Sequence, residues 1–233
     1  MQLAIALTLL TLASVVLPAL AQDLVSVAPQ ATKIEYDDAR ARVVRLRIPE
    51  KGSLPMHDRP ARVVVPLTVN DVITTNASGA SRNVRTEAGK AAWSEPAKRS
   101  VQNLGGPLEN IVVELKTADG PAKALTGPPT PLPAGYLDEA FHHWLFENQY
   151  VRVYDVHIPP GATTEFHQHA FDSVLVFISG GNVSTQMQGK QWQKAKYEPG
   201  SVRFSPDAKQ PFTHRVRNDG DADYHVVVIQ FLP

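Results

Sequence analysis

The chain has 233 residues, equal numbers of basic and acidic side chains (23 each), 43% hydrophobic content and no cysteine. The balanced charge excludes the basic surface needed to grip a nucleic acid backbone. The missing cysteines exclude disulfides, thiolate metal ligands and a lipid-modified N-terminal cysteine, so any metal must be held by His, carboxylate or water.

The first 21 residues read as a separate object. Leu3 to Leu17 is almost wholly apolar, Pro18 breaks the run, and Ala19-Leu-Ala21 has the small-x-small form of a cleavage site. This pattern predicts a secretory signal peptide at 1–21, cut after Ala21, and a secreted or periplasmic protein with no stable membrane anchor after cleavage. The alternative is an uncleaved anchor, because the apolar run approaches the length of a short span. No later segment is apolar enough to cross a bilayer.

Beyond Ala21 the sequence repeats itself. Tyr36–Ile48 lines up with Phe146–Ile158 at an offset of 110 residues. Each copy then reaches a glycine (Gly52 or Gly161) and a histidine (His57 or His167). Gly89–Ser94 matches Gly200–Ser205, and Ser100–Gly105 matches Arg215–Gly220. Each copy closes on an apolar run, Ile111–Leu115 and Val226–Phe231. A period this long indicates duplicated domains rather than a solenoid, here 34–116 and 136–233. Between them, 117–135 is rich in proline, which favours an extended, semi-rigid linker. Tyr136 to Trp144 is expected to form a short helix leading into the second copy.

Strand signals dominate both copies. Short Val/Ile/Phe-rich runs, broken by Gly, Pro, Asn and Asp about every ten residues, predict strands over Tyr150–Ile158, Val174–Ile178, Val183–Met187, Ser201–Phe204 and His225–Phe231. Many short strands with this punctuation imply two all-β sandwiches or barrels, held by their cores in the absence of disulfides.

The chemistry concentrates in Gly161-Ala-Thr-Thr-Glu-Phe-His167-Gln-His169. In a strand, residues i and i+2 share a face, so His167 and His169 would present two imidazoles to one point. A third histidine from a neighbouring strand, His214, would complete a facial set suited to a divalent metal.

These residues carry a family resemblance. The second copy resembles a cupin, a small barrel of jelly-roll type. Gly161, His167, His169 and Gly180 fall on the first cupin motif, and Gly200, Pro206, His214 and Asn218 on the second. The resemblance spans about residues 145–232, with a degraded copy over about 34–116. It implies a bicupin: two tandem cupin-type barrels joined by the Pro-rich linker. Two departures matter. Ser173 occupies the position of the usual glutamate ligand, and three extra residues precede His214. The resemblance therefore implies a three-histidine site of His167, His169 and His214, with Asp172 and Glu165 as candidates for an extra ligand. Iron(II) is favoured as the metal, with Mn, Ni, Zn or Cu as alternatives. A neutral donor set leaves the metal's double charge free to attract an anionic, chelating small molecule.

In the first copy His57-Asp-Arg59 stands where His167-Gln-His169 stands in the second, and Arg99 replaces His214. Arginine does not release its proton to ligate a metal. The first barrel is therefore expected to be metal-free, and Arg59 and Arg99 are candidates for an anion pocket. His142 and His143 are expected to be surface or packing residues, and His157 and His225 satisfied strand histidines. Phe166 and Phe171 are candidates for the pocket mouth. Three-histidine cupins include thiol and diketone dioxygenases. Function thus divides between a dioxygenase-type enzyme acting on a small chelating substrate and a non-catalytic metal- or ligand-binding module. Oligomeric state is left open, since paired barrels in one chain already resemble a fused dimer.

Overall fold

The computed structural model describes residues 22–133 and 135–233; the signal-peptide expectation for 1–21 lies outside the described residues. The first half runs β1 (Thr32–Asp37), β2 (Ala41–Ile48), β3 (Ser53–Arg59), β4 (Arg62–Pro66), β5 (Asn70–Asn76), β6 (Ser81–Thr86), β7 (Ala92–Ser94), β8 (Ala97–Asn103) and β9 (Leu108–Leu115). The second half repeats it as β10 (His142–Glu147), β11 (Val151–Ile158), β12 (His167–His169), β13 (Ser173–Phe177), β14 (Gly181–Met187), β15 (Gln193–Tyr197), β16 (Val202–Ser205), β17 (Phe212–Asn218) and β18 (Tyr224–Phe231). Each half is a five-stranded sheet facing a four-stranded one. The orders are β1-β2-β9-β4-β7 with β3-β8-β5-β6, then β10-β11-β18-β13-β16 with β12-β17-β14-β15. All pairings between these strands are antiparallel, and the two orders correspond strand for strand. The fold is all-β, two tandem jelly-roll barrels.

Duplication extends to irregularities. A register shift falls between Ile34 and Tyr36 where β1 pairs β2, and another between Trp144 and Phe146 where β10 pairs β11. Bulges of this kind persist within a fold because they set strand twist.

Strand alternation divides the core. On β11, Tyr154, Val156 and Ile158 point into the second barrel, whereas Val151 and Val153 point out of it. The outward residues are buried too. Val43, Val63, Ile111 and Val113 of the first barrel form one apolar cluster with Val153, Val174, Val227 and Ile229 of the second. Tyr36 stacks on Phe204 (4.2 Å between centroids) and Trp93 on Tyr150 (6.0 Å), closing the two edges of this seam. Each barrel has its own core, and the five-stranded sheets also pack face to face and share a third. A strand buried on both faces reads as a continuous apolar run, which is the pattern of Val43-Val44, Val112-Val113 and Val226–Ile229.

The helix expected over Tyr136–Trp144 does not form. This stretch is turn and then strand from His142, because β10 pairs with β11 in the same register that β1 takes on β2. Tertiary pairing overrides a weak helical preference. The linker is tied to the second barrel through Lys123 N–H to Gln149 Oε1 (2.6 Å) and Leu125 N–H to the Glu147 carbonyl (2.9 Å). Asp23 caps a single helical turn, α1 (Leu24–Val27), whose Leu24 enters the first barrel's core. No helix among the described residues is long and apolar enough to cross a membrane.

Candidate metal centre

His167 and His169 are buried on either side of exposed Gln168, as alternation on β12 requires. β17 pairs beside β12 with His214 directly opposite His167. The three rings meet inside the second barrel, with centroids 4.6 Å apart for His167–His214, 4.9 Å for His169–His214 and 5.1 Å for His167–His169. One ring nitrogen of each lies within 4.8 Å of the others. Three imidazoles so placed would together hold a divalent ion.

The chemistry of the donors matches the geometry. His167 Nδ1 hydrogen-bonds the Glu165 carbonyl oxygen at 2.9 Å, which fixes the proton there and leaves Nε2 with its lone pair. A second partner of this kind orients a ligating imidazole. Nε2 of His167 and Nδ1 of His214 are buried with no hydrogen-bond partner, an arrangement that costs stability unless something occupies the centre. Burial, with a smaller contribution from neighbouring charge, pushes His167 down to about 4, His169 to about 2 and His214 to about 3. The imidazoles are thus neutral, the form that binds metal.

The glutamate missing at Ser173 is replaced in space rather than in sequence. Ser173 is fully buried, and its hydroxyl faces Asp207 Oδ2 at 3.4 Å. Ser205 Oγ donates to Asp207 Oδ1 at 2.5 Å, and Asp207 Oδ2 lies 3.9 Å from His169 Nδ1. Burial raises the Asp207 carboxyl above its usual range. Asp207 follows Pro206 in the loop between β16 and β17, ahead of the extra residues that precede His214.

Neither proposed extra ligand joins the centre. Asp172 points to the seam, where it accepts from Ala208 N–H (3.0 Å) and sits 3.8 Å from Arg40. Glu165 is exposed and contributes only its carbonyl. Parity alone could not place them: one lies beyond the strand end, the other before its start.

A cavity of about 130 Å³ opens beside the histidines. Its walls are largely apolar (Val156, Ile158, Leu175, Phe177, Val228), with Phe212 stacked on His169 at 5.1 Å. Phe166 and Phe171 do not line it; Phe166 is exposed under Arg215, and Phe171 packs toward Gly135 and Arg152. Tyr197 and Arg203 do line it, 3.3 Å apart. His142 lines it as well, which corrects its assignment as a surface or packing residue. The His142 ring lies 4.6 Å from that of His167 and is held through Nδ1 by the buried carboxylate of Glu139. Burial pushes the Glu139 carboxyl up, but the His142 contact and the Phe141 N–H outweigh it and hold it below the usual value. Extending the repeat four residues upstream lays His142–Glu147 over Thr32–Asp37 and puts His142 on the first strand of its barrel.

His157 and His225 lie outside the barrel, at the seam. His225 Nε2 meets Asp155 Oδ1 at 2.6 Å, His157 Nε2 approaches the same oxygen at 3.3 Å, and His157 Nδ1 meets Asp223 at 2.7 Å. In the first barrel, His57 Nδ1 contacts the Pro55 carbonyl at 2.8 Å, just as His167 contacts Glu165. Arg99 lies opposite His57 as His214 lies opposite His167. His57 Nε2 accepts from Arg59 Nε at 3.2 Å.

Two antiparallel jelly-roll barrels with a buried histidine triad in one define a bicupin-type fold. No protein-family profile and no curated protein sequence matches the chain. Solved structures do match. AerE from Microcystis aeruginosa is 12% identical with a TM-score of 0.59, over 87% of this chain and 92% of that one. Oxalate decarboxylase from Lactobacillus farciminis, in a formate complex, is 15% identical with a TM-score of 0.57, over 84% and 78%. Salicylate 1,2-dioxygenase from Pseudoaminobacter salicylatoxidans is 10% identical with a TM-score of 0.55, over 84% and 69%. The chain has the two-barrel fold of the cupin superfamily.

Proposed function

We propose that this protein is exported and binds one divalent metal through His167, His169 and His214, to act on a small, anionic, chelating substrate in dioxygenase-type chemistry. One observation carries the proposal: three buried, neutral imidazoles converge, and two of them hold ring nitrogens with no other partner. The likeness to an oxalate decarboxylase and a salicylate dioxygenase supports the metal-dependent reading. Iron(II) is the favoured metal. When bound, it would supply a Lewis acid and a site for dioxygen.

The chain's own residues would do the rest. Arg203 sets a cation at the cavity that attracts the substrate's negative charge, and Tyr197 steadies it. The apolar wall excludes water. Asp207, raised by burial, can carry a proton beside His169, and the serine hydroxyls of Ser173 and Ser205 hold it in place. Glu139 fixes the tautomer of His142, which leaves Nε2 of that ring as a base within the cavity.

The small volume of the cavity favours a second reading, a module that holds metal or ligand without turnover. Elemental analysis of purified protein separates the two. Stoichiometric metal lost in His214→Ala supports the centre, and oxygen uptake by the iron form with small chelating acids, thiols or diketones selects the enzyme. No metal and no change in melting temperature with Fe(II), Mn(II), Ni(II) or Zn(II) would refute both. Sequencing the N-terminus of exported protein tests cleavage, which should expose Gln22.

A further inference from the structure

The first barrel carries an internal cavity of about 430 Å³, larger than that beside the histidines of the second. Four arginines line it; Arg82 of β6 is exposed, and the other three come from three strands, Arg59 from β3, Arg62 from β4 and Arg99 from β8. Their surroundings neutralise them only in part. Arg62 is only 5% exposed, yet its Nε has no hydrogen-bond partner. Arg59 donates Nε to neutral His57 rather than to an acid. Glu114 lies across from Arg62 on β9 and offers it one carboxylate; its Oε2 is engaged by Arg42 and its Oε1 has no hydrogen-bond partner, so one acid faces three cations. Glu95 at the rim accepts from Trp93 and from the linker at Ala122. Burial and mutual repulsion push Arg59 down to about 9; burial, partly opposed by Glu114, pushes Arg62 down to about 10.

The rest of the lining is chemically specific. Asn70 Oδ1, Thr74 Oγ1 and Asn110 Oδ1 are all more than nine-tenths buried and have no partner. The walls between are apolar, including Ile48, Val72 and Val112. Orphaned donors and cations at one site, orphaned acceptors beside them and an apolar body describe a recess shaped for an ionised acid that also carries hydroxyl groups. Burying these groups unpaired costs stability that a ligand would return.

We infer that the first barrel is a binding site for a small hydroxycarboxylate, its carboxylate held by Arg59, Arg62 and Arg99 and its hydroxyl by Asn70, Thr74 and Asn110. Arg59 and Arg99 stand at the positions of His169 and His214, and Arg59 Nε–H engages the nitrogen of His57 that in His167 faces the metal centre. The site thus uses fixed guanidinium charge where the second barrel offers neutral imidazoles. Guanidinium binds carboxylate in bidentate, charge-assisted fashion.

The test is calorimetric titration and thermal melting of the full chain with L-malate, with succinate as the matched acid lacking the hydroxyl, and sodium chloride as ionic-strength control. The expected result is one malate site per chain, at least tenfold tighter than succinate. Arg99→Gln and Arg59→Gln should each weaken malate at least tenfold, while His169→Ala should leave its binding unchanged. Ligand-free Arg99→Gln should melt no lower than the parent, because it removes a repelled charge. Absence of malate binding, binding unaffected by both arginine changes, or loss of binding in His169→Ala would each overturn the inference. So would a ligand-free Arg99→Gln that melts below the parent, which would give the arginine a structural role.

Discussion

Asn218 and its counterpart Asn103 allow structural and functional effects to be separated within one chain. Asn218 is 1% exposed; its Nδ2 donates to the Ile158 and Ala222 carbonyls, both at 2.8 Å, and its Oδ1 accepts from Gly220 N–H at 2.9 Å. It therefore ties the end of β17, the strand that carries His214, to the end of β11. Asn103 makes the same clip in the first barrel, donating to Ile48, Pro49 and Gly106 carbonyls and accepting from Gly105 N–H. Replacing either by alanine removes three or four side-chain hydrogen bonds worth about 1 kcal/mol each and strands a buried carbonyl. The expected loss is about 3 kcal/mol, or roughly 6–12 °C in melting temperature for a chain of this size. Because the barrels share the seam core, both variants should shift a single transition, measured by circular dichroism with urea and with heat. Metal affinity should separate them. Asn218→Ala should weaken metal binding about tenfold, in the range seen when groups supporting a ligand are removed, and Asn103→Ala should leave it unchanged. Equal effects of the two variants on metal affinity, or an unchanged melting temperature in Asn218→Ala, would refute the clip.

Other outcomes follow from the same geometry. His169→Ala should abolish stoichiometric metal, with less than about 1 kcal/mol lost from the metal-free fold because it relieves crowded, unpaired imidazoles; elemental analysis and melting curves check both. His57 is pushed by burial to about 4. The unfolded chain protonates it first, so stability should fall as pH drops from about 6.5 to about 4, by about 3 kcal/mol in total, and then level off. Comparing parent and His57→Gln urea midpoints across this window isolates that contribution. Val153→Asp places an unpaired carboxylate in the seam, where Val153 is fully buried, and should cost several kcal/mol and split the melting profile into two transitions.

Much of this architecture was legible because duplication supplies its own control. The offset between Tyr36 and Phe146 located both barrels, and alternation in His167-Gln-His169 set two imidazoles on one face, as the structure has them. What stayed hidden depends on distances along the chain that no periodicity encodes. Asp207 reaches Ser173 because Ser205, two residues before it, pairs directly with Ser173 across β13 and β16. Arg203 and Tyr197 meet at the cavity from different sheets. The seam core is not legible because apolar runs such as Val226–Ile229 fit a strand buried within one barrel as well as a strand sandwiched between two. Asp172, with its charge adjacent to the vacant glutamate position, was drawn to the seam by Ala208 and Arg40 instead. Gly180 needed the structure to explain it: its φ is 65°, and a β-carbon there would run into the Tyr197 carbonyl oxygen.

The two barrels show how one scaffold can be re-used with opposite electrostatics. His57 and His167 sit at equivalent positions, opposite Arg99 and His214, and each anchors Nδ1 on a carbonyl two residues back. The difference lies in what meets Nε2. In the second barrel it has no partner, so the centre gains most by adding a cation. In the first, Arg59 supplies a covalently tethered cation, and Arg62 and Arg99 add two more. A metal would be repelled there, and an anion attracted. Restoring histidine at Arg59 and Arg99 tests whether charge alone separates the two. The double variant Arg59→His/Arg99→His should bind a second divalent metal per chain and lose malate binding. Retained malate binding with no added metal would show that the first barrel's preference resides in Arg62, Asn70 and Asn110 rather than in the exchanged positions.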